Sequence, residues 1–196
     1  TTLENIFLSD FDNIDSLKIK QRIFRYLNGH KIIFDMLQKG LLVFDSYMEA
    51  FRKNPTPELT AKYRLDIADK IVALFKKCHS LLGLFCAKEN TNKGLLYENY
   101  FNLLLLVNKL DIGQIDLIIE IFKDNKELAT MISENHLKFF CNLIVQHGKK
   151  ETFLKIFDTL LNEPSHETVD LQKKILFVFL NEENLDEINV TILILF

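Results

Sequence analysis

Residues 92–107 have the sequence NKGLLYENYFNLLLLV, and this stretch decides the fold. An amide and a lysine come first, an apolar pair and a polar break follow, and a dense apolar run ends the stretch. The same order returns in residues 125–144, NKELATMISENHLKFFCNLI, and more loosely in residues 21–37, QRIFRYLNGHKIIFDML. The Asn-Lys pair recurs after 33 residues and the Glu-Asn break after 36. A period of about 20–50 residues is typical of solenoids, in which each helical unit packs on its neighbours.

The composition agrees with an all-helical solenoid. The chain has 196 residues, of which 48% are hydrophobic and 17 are phenylalanine, so it is long enough for one domain with a sizeable core. Six glycines and three prolines are too few for an all-β fold with many tight turns. We therefore predict an all-α, armadillo- or HEAT-like superhelical solenoid that forms a single domain over residues 1–196.

Charge and cysteine content exclude several function classes. The formal net charge of -3 gives no reason to expect nucleic acid or an anionic membrane as a partner. Three cysteines without paired spacing indicate buried, reduced thiols. We find no signal peptide and no apolar run near the ~20 residues that a bilayer span needs. The absent initiator methionine and the apolar end at 190–196 suggest a fragment of a longer chain.

Hydrophobic periodicity and capping residues predict the helices. They are expected over 17–27, capped by Ser16, then 30–38, 56–87, 90–97, 112–124, 125–132, 136–147, 149–162 and 167–180. Residues 1–14 are expected to be irregular or weakly helical, and 39–55 could form a further helix closed by Asn54-Pro55. Residues 101–107 are expected to be buried on more than one side. The tail from residue 188 could be a strand or a short helix.

Several side chains are expected to form the core. One row on the long helix consists of Ile67, Ile71, Leu74, Cys78, Leu81 and Phe85, with Gly83 either admitting a close helix or bending this one. A second row consists of Ile32, Ile33, Met36 and Leu37. Leu95, Leu128 and Phe140 should pack in one another's layers if the units stack.

No catalytic motif appears in the sequence, so we do not expect an enzyme. The nearest metal pattern is Cys78-His79 with Cys86, but zinc needs four converging ligands, so core cysteines are the favoured interpretation. His147 stands beside Gly148 and two lysines, which is typical of the C-terminal end of a helix. No metal or cofactor is predicted.

The best candidate for a binding surface is basic. Lys18, Arg22 and Arg25 follow one another at steps of four and three, which places them on one helix face. Such a face is either solvated, or paired with an acidic neighbour, or a site for a polyphosphate.

Three blocks resemble a known family. They are KQRIFRYLNGHKIIFDMLQ at 20–38, LFCAKENTNKGLLYENYFNLLL at 84–105 and LIVQHGKKETFLKIFDTLLN at 143–162. In order and spacing they resemble the RIH domain, the armadillo-like domain of inositol trisphosphate and ryanodine receptors, over about 18–180. The positions that match the motifs, and to which the resemblance assigns structural roles, are Asn28, Gly29, Cys86, Asn92, His147 and Gly148.

The resemblance implies a function. It is closer to the regulatory copy of the domain than to the copy that forms the inositol phosphate pocket, where a second basic cluster is centred on Tyr-Arg-Lys. Here Glu89-Asn90-Thr91 stands in that place. The domain would then be a soluble, non-enzymatic segment on the cytosolic face of an endoplasmic-reticulum-type membrane. Its partners would be other domains and neighbouring subunits of a homotetrameric calcium-release channel.

Two other hypotheses stay open. A generic armadillo or HEAT adaptor would hold a peptide or a helix in its groove. A small-ligand module would bind inositol phosphates on Lys18, Arg22 and Arg25.

Overall fold

A computed structural model describes residues 2–9, 13–53, 58–106, 112–147, 151–161 and 166–181. Every regular element in these ranges is an α-helix, which confirms the predicted all-α class. The helices are Thr2–Leu8 (α1), Ile14–Tyr26 (α2), Gly29–Lys53 (α3), Glu58–Cys86 (α4), Asn90–Leu106 (α5), Gln114–Phe122 (α6), Lys126–Thr130 (α7), Glu134–His147 (α8), Glu151–Leu161 (α9) and His166–Asn181 (α10). The predictions for Asn54-Pro55, Gly148 and the tail from residue 188 lie outside the described residues. None of the described helices combines the length and the apolar composition that a bilayer crossing requires.

Sequential helices pack in pairs, and α6 is an inner helix of the stack. Helices α2 and α3 pack together, as do α4 and α5, and α8 and α9. Helix α6 contacts α4, α5, α7 and α9. Six of its nine residues are buried. An inner helix covered on several sides by its neighbours is the arrangement that a helical solenoid produces.

Two runs of aromatic rings lie along the core. Phe24 on α2 meets Phe85 on α4 at a centroid distance of 5.4 Å. Further along, from α5 to α10, the rings follow in the order Phe101, Phe140, Phe157 and Phe179, at 6.5, 6.4 and 5.2 Å. Leu128 and Phe140 are buried and Leu95 packs against the same core, so all three side chains face the core as predicted.

Three predicted helix boundaries are wrong. Helix α2 begins three residues early because Asn13, rather than Ser16, is its cap: Asn13 Oδ1 accepts the Ser16 N–H at 3.2 Å. Helix α3 runs through residue 38 to Lys53, since Gly40 lies where α4 approaches and does not interrupt it. Helix α5 continues unbroken from Asn90 to Leu106 instead of ending at residue 97.

Parts of the predicted core rows point outward. Leu74 is 47% exposed, and the adjacent Phe75 is buried in its place. The Phe75 ring meets Phe44 of α3 at 6.5 Å, so α3 determines which side of α4 is covered. Ile32 and Met36 are exposed as well, whereas the other two members of their row are buried.

Two helical glycines have opposite surroundings. A Cβ at Gly83 would meet no atom within 4 Å, so this glycine does not admit a close helix as one interpretation expected. A Cβ at Gly40 would stand 2.8 Å from Cε1 of the buried Phe75 ring. The close approach in this part of the fold therefore occurs at Gly40.

This contrast predicts opposite effects of one substitution. Gly83→Ala should raise the free energy of unfolding by about 0.5–1 kcal/mol, because glycine in a helix interior costs conformational entropy. Gly40→Ala should lower it by about 1–3 kcal/mol, because the Phe75 ring must move. Urea unfolding of the two variants measures both changes in the free energy of unfolding. A gain in stability of Gly40→Ala would contradict the close approach of the Phe75 ring to Gly40.

Candidate functional site

The C-terminal end of α4 is capped by side chains from two other helices. The last carbonyl groups of a helix lack intrahelical donors. Gln21 of α2 supplies Nε2, which donates to Leu84 O at 2.8 Å and to Ala87 O at 2.9 Å. Asn92 of α5 supplies Nδ2, which donates to Phe85 O at 2.8 Å. Both amides are fully buried. Their hydrogen bonds join α2, α4 and α5 in one polar junction.

Arg25 belongs to this junction. Its Nη1 donates to Asn92 Oδ1 at 2.9 Å, across 67 residues of sequence. The predicted basic face is therefore divided: Arg25 is half-buried and bound to Asn92, Lys18 is half-buried, and Arg22 is exposed. The structure brings Arg25 together with Asn92 of the second sequence block rather than with a second basic cluster.

The segment 28–30 makes the connection between α2 and α3 tight. Asn28 has φ 56°, in the left-handed region, and its N–H donates to Arg25 O at 3.0 Å. Its carbonyl in turn accepts the N–H groups that begin α3. A side chain at Gly29 would overlap the Phe24 ring. Asn28 therefore ends one helix and begins the next, and Gly29 leaves room for the aromatic ring between them.

His30 completes this segment inside the core. It is 2% exposed, and its ring stacks on Phe85 at 5.4 Å with an interplanar angle of 2°. Tyr100 of α5 meets the same ring edge-on at 6.2 Å. Neither ring nitrogen has a hydrogen-bond partner among the described residues. Burial lowers the pKa of His30, and the positive charges of Lys31 and Arg25 lower it further.

A pH dependence of stability follows from His30. Because its folded-state pKa lies below the ordinary 6.5, the unfolded chain takes up a proton that the fold disfavours. The free energy of unfolding should therefore fall as the pH drops through about 6.5 and level off below the folded-state pKa. His30→Phe should make this slope shallower in urea titrations at several pH values. Burial also lowers the pKa of His79 and His136, so part of the slope should remain, but an unchanged slope would exclude His30 as a contributor.

Lys93 caps a different helix. It is 1% exposed, and its Nζ donates to the carbonyl of Lys123, which is the cap residue of α6. The adjacent residues Asn92 and Lys93 thus hold the ends of α4 and α6. In the next sequence repeat, Asn125 instead caps the start of α7 by accepting the Leu128 N–H at 3.2 Å, and Lys126 is exposed. The two Asn-Lys pairs are alike in sequence and different in role.

The three cysteines form no reactive cluster among the residues that the structure describes. Cys78, Cys86 and Cys141 are buried and form no disulfide with one another, and burial raises the pKa of Cys78 and Cys86. Among the residues described, no three metal-ligating side chains converge. Helix α8 ends at His147. The side chain of that residue, like Gly148, lies beyond what the structure describes.

A groove of about 440 Å³ lies between α4 and α6. Its lining includes Ser80, Asp116 and Glu120. Burial raises the pKa of Glu120, and the positive charges of nearby lysines partly offset this rise. Ser80 Oγ donates to Glu4 Oε1 at 2.8 Å, so its proton is directed at a carboxylate of α1 and not at a histidine. As described, the groove does not combine a nucleophile, a base and an orienting group.

Sequence reasoning missed two features of α2. Gln21 follows Leu17 on the inward row, and a polar residue in such a row is a signal that it satisfies buried backbone groups. On the opposite side Ile19, Ile23 and Tyr26 are exposed at helical spacing. An open groove of about 570 Å³ lies there, lined by Arg22, Ile23, Arg25, Tyr26 and Leu27.

A comparison with protein families agrees with this architecture. The model of the RIH domain matches residues 4–185, which is all but the first three and the last eleven residues. The match includes the α2–α4–α5 junction and all ten of the described helices except the first two residues of α1. The chain therefore belongs to the RIH domain family, which inositol trisphosphate receptors and ryanodine receptors share.

Proposed function

We propose that this RIH domain is a non-enzymatic regulatory solenoid of a ligand-gated calcium-release channel. It would lie on the cytosolic face of an endoplasmic-reticulum-type membrane, within a homotetrameric parent protein. The observation that carries the proposal is the family match over residues 4–185. The domain would pass conformational change between neighbouring domains and subunits.

Exposed apolar side chains on α2 and α10 support contacts with other domains. On α10, Leu171, Ile175 and Val178 face the core, whereas Leu176 and Phe177 are exposed on the other side. Phe177 is 56% exposed. Solenoids need their outermost apolar faces covered, so these side chains suit an interface with an adjacent domain or subunit.

The buried junction supports the transmission of movement. Gln21 of α2 and Asn92 of α5 both bind carbonyl groups at the end of α4. A displacement of α2 would therefore carry α4 and α5 with it. Small rigid rotations of packed helices are a recurrent way to couple a ligand site to a distant gate.

The test is calcium release from the full-length protein that carries this domain. We expect Phe177→Glu to leave ligand affinity unchanged and to shift the ligand concentration for half-maximal release about fivefold or more. Microsomes from cells without endogenous release channels, loaded with calcium and exposed to inositol trisphosphate or ryanodine, provide the measurement. Lys155→Glu on the exposed side of α9 is the control. An absence of ligand-evoked release from the wild-type protein would contradict the proposal.

A generic adaptor is the second candidate. The exposed row on α2, with its basic edge and open groove, favours it because such a surface suits a peptide or a helix. A full-length protein without membrane spans and without calcium flux would favour the adaptor over the channel domain.

A further inference from the structure

Helix α2 is apolar on two opposite sides. Leu17 and Gln21 face the core, whereas Ile19, Ile23 and Tyr26 are 57%, 54% and 87% exposed. The exposed residues follow the i, i+4, i+7 spacing, so they form one straight row about two helical turns long. We call the surface made of Ile19, Arg22, Ile23, Tyr26 and Leu27 the α2 outer face.

Positive charge borders the α2 outer face. Helix α2 has one acid, Asp15, in its first turn, against Lys18, Lys20, Arg22 and Arg25. Its formal charge is therefore +3 in a chain of net charge -3. Lys20 is bound to Ile6 O of α1 and to Ser9, which follows α1, and Arg25 is bound to Asn92. Arg22 is exposed and makes no hydrogen bond or ion pair with the described residues, so its charge is available to a partner.

We propose that the α2 outer face docks an acidic amphipathic helix, contributed by another domain or subunit of the same assembly. The source of that helix rests on the proposed function, whereas its chemistry rests on α2 alone. The apolar row would receive the apolar face of the partner helix, as in helix-in-groove recognition. Arg22, and Lys18 beside it, would meet acidic residues on the flank of the partner and so select against basic segments.

Charge disfavours two other occupants. A second copy of this chain, docked through the same face by two-fold symmetry, would bring its basic edge against the basic edge of the first copy. An anionic membrane would attract α2 but repel the chain as a whole, whose net charge is negative. An acidic helix meets neither obstacle, because its charge is local and opposite to that of α2.

The test uses two fluorescein-labelled helical peptides of about 18 residues with the same leucine face. One peptide carries glutamates on its flanks and the other carries lysines in the same positions. In fluorescence anisotropy the acidic peptide should bind the 196-residue chain about tenfold or more tightly than the basic one. Ile23→Ser should weaken binding of the acidic peptide about tenfold. Arg22→Glu should reverse the preference between the two peptides.

Matched controls separate docking from folding. Lys155→Glu makes the same kind of charge reversal on α9 and should leave both affinities unchanged. Circular dichroism should show wild-type helicity in every variant, and if Ile23→Ser fails to fold, Tyr26→Ser at the more exposed position replaces it.

Several results would overturn the proposal. These are no binding of the acidic peptide, equal binding of both peptides, dimerisation that Ile23→Ser abolishes, or tighter binding to phosphatidylserine vesicles than to the acidic peptide. None of these results bears on ligand-evoked calcium release by the full-length protein, so the proposed function is judged separately.

Discussion

Phe85→Ala is expected to lower the free energy of unfolding by about 3–5 kcal/mol, the cost of emptying a phenylalanine site in a packed core. Phe85 is completely buried near the end of α4. Its ring meets Phe24 of α2 at 5.4 Å and stacks on His30 of α3 at 5.4 Å, so one side chain joins three helices. Because total stability of a domain is about 5–15 kcal/mol, this loss could unfold the isolated chain.

Urea unfolding followed by circular dichroism measures the effect of Phe85→Ala. The matched control is Phe177→Ala, which removes the same atoms from a ring that is 56% exposed. We expect it to change stability by no more than about 0.5 kcal/mol, as is usual for surface positions. Equal losses at the two positions would show that Phe85 does not occupy the core site described above.

Asn92→Ala is expected to lower the free energy of unfolding by about 1–3 kcal/mol, although alanine is the better helix former. The change leaves the Phe85 carbonyl without its donor at 2.8 Å and removes the acceptor of the Arg25 guanidinium at 2.9 Å. Because residue 92 is fully buried, replacing the lost hydrogen bonds by hydrogen bonds to water would cost free energy.

A second asparagine of α5 offers the control for Asn92. Asn102→Ala changes an exposed residue of the same helix and should be neutral or slightly stabilising. A double-mutant cycle of Asn92→Ala with Arg25→Met should give a coupling energy of about 0.5–3 kcal/mol. Strict additivity would mean that the Arg25–Asn92 hydrogen bond contributes nothing to stability.

The sequence predicts most of the regular structure where local signals agree. Residues 136–147 combine a Ser133 cap with a clear apolar period, and α8 follows with Ser133 Oγ accepting the His136 N–H at 3.2 Å. On α10, Leu171, Ile175, Val178 and Phe179 recur at helical spacing and are all buried. In α8 the exposed residues Glu134, Asn135 and Asn142 are polar, so period and burial coincide.

Prediction fails where a helix is apolar on more than one side. Ile32 and Ile33 are neighbours in sequence with the same hydrophobicity, but Ile32 is 66% exposed and Ile33 is buried. Local pattern alone does not tell an isoleucine that faces the core from one that faces outward. The position of α4 against α3 decides between them, and that position depends on contacts between residues distant in sequence.

The junction shows the same limit for the candidate site. Gln21 binds carbonyl groups 63 and 66 residues away, and Arg25 reaches Asn92 across 67 residues. Spacing within α2 suggested that Arg25 shares a binding face with Lys18 and Arg22. It carried no information on which partner lies opposite, because that depends on how α2 and α5 meet at the end of α4. The resemblance singled out Asn92, and the geometry assigns it two hydrogen bonds.

The consecutive pair Asn92-Lys93 has a mechanical consequence. Asn92 is anchored to the last turn of α4 and Lys93 to the last turn of α6, so two helix ends are attached within a single step of α5. Turning α5 about its own axis would pull on both attachments simultaneously. The two hydrogen bonds therefore resist rotation of α5, and a force applied to α4, α5 or α6 is shared by all three helices.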